Sequence, residues 1–302
     1  MTGGGPVRDI QVTRGESCWV GNFSAMASPC DILVETGDAD ETRRLTGLAA
    51  DEAWRIEAKF SRYVTDNAVA RINSASGKLV EVDEETASLL DFSATLHDLS
   101  DGGFDITSGV LREVWAFDGS DNIPSTDAIA QVLQRVGWHR VDWQRPILRM
   151  ESGMQIDFGG IGKEYAVDRV AHSIREASSC SVLVNFGGDL CVTRAPTERP
   201  AWKVGIESVG GGQGAADTLI DIRTGALATS GDTHRYLLRD GIRYGHILDP
   251  QSGCPVTNAP RSITVAADTC TQAGMLSTLA MLKGSDAEAF LDAEKVRYWC
   301  RR

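Results

Sequence analysis

The spacing of apolar residues divides this chain into short strands and mid-length helices. Asp31-Ile32-Leu33-Val34-Glu35 reads as a strand entered from Met26-Ala27-Ser28-Pro29. Trp54, Ile56, Phe60 and Tyr63 fall along one side of a helix over 47–63. A better helix runs over 83–99, with Leu89, Phe92, Leu96 and Leu99 on its inner face. Gly102 to Gly109 is a small polar loop. The next helix starts after Ser125, which can cap it, buries Ile129, Val132, Leu133 and Val136, and ends near Gly137. A strand-like region to about 150 precedes a helix that turns Val167, Val170, Ala171 and Ile174 inward. Strands follow at 181–189, 202–207, 218–223 and 262–267, with Gly210 to Gly214 as a flexible linker. A helix over 272–283 buries Met275, Leu276, Leu279 and Leu282, and a last one opens at Ser285 with Glu288 as a capping box. Strands and helices alternate without regular βαβ order, which predicts an α+β fold of more than one layer. Residues 1–23 read as a loose N-terminal segment and 24–302 as one domain.

Two places in this frame carry candidate chemistry. The first runs from Gly231-Asp232-Thr233-His234-Arg235-Tyr236 to Gly245-His246-Ile247-Leu248-Asp249-Pro250-Gln251-Ser252-Gly253. Asp240-Gly241 between apolar runs predicts a hairpin turn, and His246 sits where the second strand ends. Its imidazole is the side chain there that titrates near neutrality. By itself such a histidine is more often structural or merely solvated. The second place is Gln155 to Tyr165, where Gly159, Gly160 and Gly162 end an extended run and a helix begins beside Lys163. Glycines and a helix N-terminus there suit a phosphate, and a tight βα turn explains them equally well.

Composition narrows the class. The 302 residues are 42% hydrophobic and 24% charged, within the range of globular proteins. A net charge of −12, with no basic run, argues against a nucleic-acid partner. Seven widely spaced cysteines form no C-x-x-C pair, so a thiolate zinc site is not expected and a reducing compartment is. No apolar signal-peptide core and no run long enough for a membrane helix is visible, so the expected location is the cytoplasm.

Taken in order, six blocks resemble the ApbE family of FAD:protein FMN transferases. They are Phe60-Ser61-Arg62-Tyr63; Phe104 to Gly109 with Trp115 and Phe117; Asp157 to Lys163; Asn185-Phe186-Gly187-Gly188-Asp189; Ala228 to Asp232; and His246-Ile247-Leu248-Asp249-Pro250 with Gly253 and Pro255. The resemblance implies a T-fold-like architecture, with short strands in mixed or antiparallel sheets and flanking helices. It implies cleavage of FAD, transfer of FMN to a Thr or Ser of a target flavoprotein, release of AMP, and a requirement for Mg²⁺. The family's flavin and nucleotide contacts fall on Met26, Tyr63, Gly103, Phe104, Asp105, Asp157, Lys163 and Ile247, and its catalytic histidine on His246. Those side chains have chemistry to match: a ring for stacking, carboxylates that accept hydrogen bonds, an ammonium for pyrophosphate charge and a general base. A structural salt bridge for Asp157 and for Lys163, or a plain core contact for Tyr63, is the competing reading.

The metal ligands implied are the Gly160 carbonyl and the Thr278 hydroxyl, with Ser277 less well placed. The aspartate usual four residues before that threonine is Gly274 here, and Glu164 replaces the glycine that commonly follows the lysine. Mg²⁺ favours carboxylates, so a weak site is expected, with Asp268 a possible substitute and Gly274→Asp a way to restore it. Two other functions stay open: an FAD-binding protein without chemistry, and a pyrophosphatase yielding FMN and AMP.

Overall fold

A computed structural model describes residues 8–207, 216–232 and 236–302. The expected linker Gly210–Gly214, the Thr233-His234-Arg235 part of the histidine stretch and the first seven residues lie outside these. The chain divides into two compact units. The first is Met1–Ala58, Ile161–Thr229 and Thr264–Gly274; the second is Lys59–Gly160, Ser230–Ile263 and Met275–Arg302.

The first unit is built on a sheet of β1 (Gln11–Arg14), β2 (Trp19–Ala25), β3 (Ser28–Val34), β7 (Val182–Phe186), β8 (Asp189–Val192), β11 (Gly225–Gly231) and β14 (Ser262–Ala267), in that order across the sheet. Pairing from β1 to β11 is antiparallel. Cys30, Ile32 and Val34 alternate into the core, the period that a strand with one buried face requires. β9 (Trp202–Glu207) and β10 (Ala216–Ile222) form a separate antiparallel pair. Helix α5 (Gly162–Ala177) lies against β7 and β8 and buries Val167, Val170, Ala171 and Ile174, the face expected from its spacing.

Helix α1 (Ala39–Phe60) starts well before residue 47 and stops before Tyr63. Its start escapes hydrophobic patterning because two inward positions are threonines. Thr42 and Thr46 are fully buried and donate their hydroxyls to the carbonyls of Asp38 and Thr42. β1 and β2 fall in the stretch expected to be loose. Gly21 and Ala25 are among the inward residues of β2, so small side chains muted the apolar signal there.

The second unit holds a three-stranded sheet in the order β4 (Val80–Glu81), β6 (Ile147–Arg149), β5 (Asp142–Gln144). It also holds α2 (Ala68–Asn73), α3 (Glu84–Leu99), α4 (Thr126–Leu133) and the hairpin β12 (Tyr236–Arg239) and β13 (Ile242–Gly245). Asp83 caps α3 by accepting from Glu85 and Thr86 N–H, and Ser125 caps α4 as expected. Leu99 is 63% exposed, not core, because α3 has reached its end there. The expected loop to Gly109 becomes a 3-10 helix over Ile106–Glu113, capped by the Asp105 carboxylate.

Helix α6 (Cys270–Leu282) crosses from one unit's residues to the other's and buries Ala273, Leu276, Leu279, Ala280 and Met281. The expected capping box is not formed. A 3-10 turn occupies Gly284–Asp286, α7 (Ala287–Ala293) opens at Asp286 without a side-chain cap, and Ser285 donates to Asp286 instead. β15 (Arg297–Arg301) closes the chain, and the Arg261 N–H beside β14 donates to the Arg301 carbonyl. No helix among the described residues is long and apolar enough to cross a membrane.

Candidate active site

In the second unit the site is organised around the β12–β13 hairpin. Asp240 and Gly241 both have positive φ, at 52° and 76°, and Arg239 pairs with Ile242, so the two-residue turn matches the twist of its strands. Leu237 is fully buried in a cluster with Val110, Leu111, Trp115, Ile129, Val132 and Val136. Tyr244 and Leu248 pack on the same cluster, two residues before and two after His246. The backbone at His246 is therefore anchored on both sides. Its ring stands edge-on to Phe117, 6.3 Å between centroids, and Phe117 stacks on Trp115 at 5.7 Å. At the hairpin base, Asp232 accepts from Arg243 at 2.9 Å and Arg261 at 3.0 Å.

The turn after the histidine is closed by its own polar groups. Val256 N–H donates to the Ile247 carbonyl, Asp249 N–H to that of Cys254, and Gly253 N–H to that of Asp249. The Asp249 carboxylate accepts from Gln251 N–H at 2.9 Å and Ser252 Oγ at 2.7 Å. Gly253 has φ +67°, and a Cβ there would come within 2.7 Å of Ile129. Its carbonyl accepts from Trp115 Nε1 at 2.8 Å, so glycine lets the turn press onto the aromatic pair that backs His246.

The Gly103–Asp105 segment is held by Ser100. Gly103 N–H donates to the Ser100 carbonyl, and Phe104 N–H to its hydroxyl at 2.8 Å. The Phe104 ring lies against Gly160, where a Cβ would be 3.2 Å from the ring edge. Asp105 does not face outward as its implied role requires. It is buried, with Oδ1 accepting from Thr107 N–H and Oγ1 and Oδ2 from Trp138 N–H. Its carboxylate is spent on shaping the loop.

Asp157 joins several expected residues. Its N–H donates to the Ile106 carbonyl, Oδ1 accepts from Gly159 N–H, and Oδ2 accepts from Arg62 Nη1 at 3.2 Å. Arg62 also donates to the Gly109 carbonyl and to Gln155. Arg112 lies 3.7 Å from Asp157 Oδ2 and donates to the Tyr63 hydroxyl at 3.0 Å. The ion-pair partners of Asp157 are thus Arg62 and Arg112. Tyr63, expected on a helix face, is 78% exposed and presents its ring to solvent. Arg62 and Arg112 carried no positional signal in the sequence beyond Arg62 standing inside a family-like block.

Met26 and Lys163 belong to the first unit. Met26 and Ala27 form the two-residue turn between β2 and β3, both with positive φ, at 52° and 56°. Neither is the glycine or asparagine such a turn prefers, and the Glu57 carboxylate holds the turn by accepting from Met26 N–H at 2.8 Å. Lys163 Nζ pairs with Asp189 Oδ2 at 2.9 Å, and Asp189 Oδ1 accepts from Thr229 N–H. Burial pulls the Lys163 ammonium down, but Asp189 outweighs it and holds the group above the ordinary lysine value. Burial, and then the Asp189 charge, push the Glu164 carboxyl well above the carboxylate range.

For a divalent cation the donor chemistry is all oxygen, which fits Mg²⁺ in kind. Among the described residues no group of three or more His, Cys, Asp or Glu side chains is placed to hold a metal. Thr278 Oγ1 and Ser277 Oγ lie 3.0 Å and 2.8 Å from the Ser230 hydroxyl. Ser277 is fully buried and Thr278 half-buried. Asp268 is exposed at the end of β14. A Cβ at 274 would lie 2.5 Å from Glu164 Cγ, so Gly274→Asp requires the Glu164 side chain to move aside.

Over 251 residues the chain is 26% identical to the FAD:protein FMN transferase of Haemophilus influenzae, covering 80% of this chain and 72% of that one. It superposes on the ApbE protein of Thermotoga maritima with a TM-score of 0.83 and 30% identity, over 97% of this chain and 94% of that one. The Pseudomonas stutzeri flavinyl transferase ApbE gives 0.81 and 26%, over 96% and 91%. The ApbE family profile spans residues 26–299, and with that span, the fold and the order of its motifs in hand, the chain belongs to the ApbE family.

Proposed function

We propose that this chain is an FAD:protein FMN transferase. It passes FMN from FAD to a Thr or Ser hydroxyl of an acceptor flavoprotein and releases AMP. The observation that carries this is His246, an imidazole on a backbone pinned from both sides and backed by Phe117. The acceptor oxygen attacks the phosphorus of the FMN half. A new P–O bond forms, the bond from that phosphorus to the bridging oxygen breaks, and AMP leaves with the electron pair. The proton of the attacking hydroxyl passes to His246, acting as general base.

The exposed Tyr63 ring offers a stacking surface, with Arg112 fixing its hydroxyl. Phe104, Gly103 and Ile247 line the flavin's approach, and Asp157 accepts from sugar or base. The role proposed for Lys163, its charge kept by Asp189, is to balance pyrophosphate charge, and Met26 is proposed as a nucleotide contact. Mg²⁺, when bound, neutralises charge developing on the pyrophosphate oxygens. The Gly160 carbonyl and Thr278 hydroxyl are the ligands proposed for it. All seven cysteines are free, which suits the cytoplasm.

The test is incubation with FAD, MgCl₂ and a candidate acceptor flavoprotein, followed by intact-mass spectrometry and AMP assay. A mass gain of one FMN with equimolar AMP is expected. AMP and free FMN without an adduct would make it a pyrophosphatase, and FAD binding without AMP a binder only; either outcome sinks the proposal.

A further inference from the structure

Two tight turns lie side by side in the first unit's sheet. Met26-Ala27 joins β2 to β3 and closes on the pair Ala25 and Ser28. Gly187-Gly188 joins β7 to β8 and closes on the pair Phe186 and Asp189. β3 pairs with β7 at Cys30 and Phe186, and the Gly187 N–H donates to the Pro29 carbonyl, so the two turns are fastened together. Gly187 has φ +59°, and a Cβ there would lie 2.9 Å from Ser28 Oγ and 3.7 Å from Lys163 Nζ. The bare, exposed glycine leaves the hydroxyl and the ammonium open beside one another. Asp189 takes one of the three donors of that ammonium at 2.9 Å and fixes the direction of the others. Among the described residues the Ser28 hydroxyl has no hydrogen-bond partner. A hydroxyl with its proton to give and a cation with donors to spare, next to a glycine, suit an anionic oxygen.

We propose that Ser28 binds the FAD pyrophosphate together with Lys163, its hydroxyl donating to a phosphate oxygen. The inference deepens the flavin-transfer reading and rests on it for the identity of the ligand. Lys163 supplies the charge, Ser28 a neutral donor, and Gly187 the opening beside them. A methyl group at 187 crowds the hydroxyl and closes that opening.

The test is calorimetry of the full chain with FAD and, separately, with inorganic pyrophosphate, which carries neither flavin nor adenosine. Melting temperatures are measured in parallel. The wild type is expected to bind both ligands. Ser28→Ala should bind each about tenfold more weakly, the loss of one hydrogen bond to a charged group. It should melt at the wild-type temperature, because the hydroxyl it lacks bonds to no described residue. Ser28→Thr keeps the hydroxyl and should keep both affinities. Gly187→Ala crowds the hydroxyl without removing it and should weaken both ligands, so the test does not hang on one variant. Wild-type FAD affinity in Ser28→Ala or in folded Gly187→Ala would overturn the assignment. So would a loss for FAD without one for pyrophosphate, an equal loss in Ser28→Thr, or a wild type that binds FAD but not pyrophosphate. Failure of the flavin-transfer reading looks different: pyrophosphate would bind and respond to Ser28→Ala, while FAD would not bind.

Discussion

His246 is held at a strand end with core residues on either side of it, so its substitution should leave the surroundings in place. His246→Ala is expected to keep FAD affinity while lowering single-turnover transfer by about 10²–10⁴-fold, the range for a general base. Calorimetry and rapid-quench assay check the two halves separately, and transfer at the wild-type rate would reassign the base. At the opposite extreme of chemistry, Ala27 is an exposed alanine with φ 56° in a tight turn. The left-handed region costs a residue with a Cβ about 1–2 kcal/mol, partly offset by the entropy of an added glycine. Ala27→Gly should therefore raise unfolding stability in urea by about 0.5–1 kcal/mol. A loss of stability would show that packing at this turn outweighs its backbone strain. Tyr63 and Asp105 teach the opposite lesson about residue types. A tyrosine in helical register is exposed, and a carboxylate suited to a ligand is consumed by Thr107 and Trp138.

At the scale of elements, the turn after His246 works as one unit, because backbone and side-chain hydrogen bonds close it from Ile247 to Val256. Gly253 is its tightest point. Gly253→Ala brings a Cβ to 2.7 Å from Ile129 and forces φ +67° on a residue that resists it. The expected cost is about 1–3 kcal/mol in stability, with a fall in transfer rate, because the turn and Trp115 can no longer meet. Thermal melts and kinetics of the purified variant decide this; an unchanged rate would separate the turn from the placement of His246. Helices α3, α4 and α5 were legible because their apolar spacing, and at α4 the Ser125 cap, are local. The start of α1 was not, because Thr42 and Thr46 bury hydroxyls where the pattern looks for methyl groups. The capping box at Ser285 misled for the reverse reason: the right residues are present, but a 3-10 turn takes their place.

Across the whole molecule, acid sensitivity can be traced to particular buried charges. Glu35 is 7% exposed and accepts from Thr197 N–H and Oγ1, Glu198 N–H and Arg199 Nε. Burial pushes its carboxyl up, but those donors outweigh it and hold the group below its ordinary 4.5. A folded value below the unfolded one means stability that is present above pH 4.5 and lost as pH falls through the folded value. Glu35→Gln should cost about 2 kcal/mol at pH 7, and its urea midpoint should approach that of the wild type as pH drops below 4.5. Parallel curves at all pH values would show that Glu35 acts through shape, not charge.

The sequence by itself determined the α+β class, the hairpin at Asp240-Gly241, the register of α5, and the ordered blocks that mark the family. Each depends on hydrogen bonds and side-chain periodicity within a few residues, or on residue order, which folding does not alter. Only the tertiary structure decided that Arg62 and Arg112 serve Asp157, that Asp189 balances Lys163, and that Glu164 fills the space at Gly274. These pairs are far apart in the chain. Which of them meet depends on how helices and strands pack, and packing is set by the fit of the entire core rather than by any local rule.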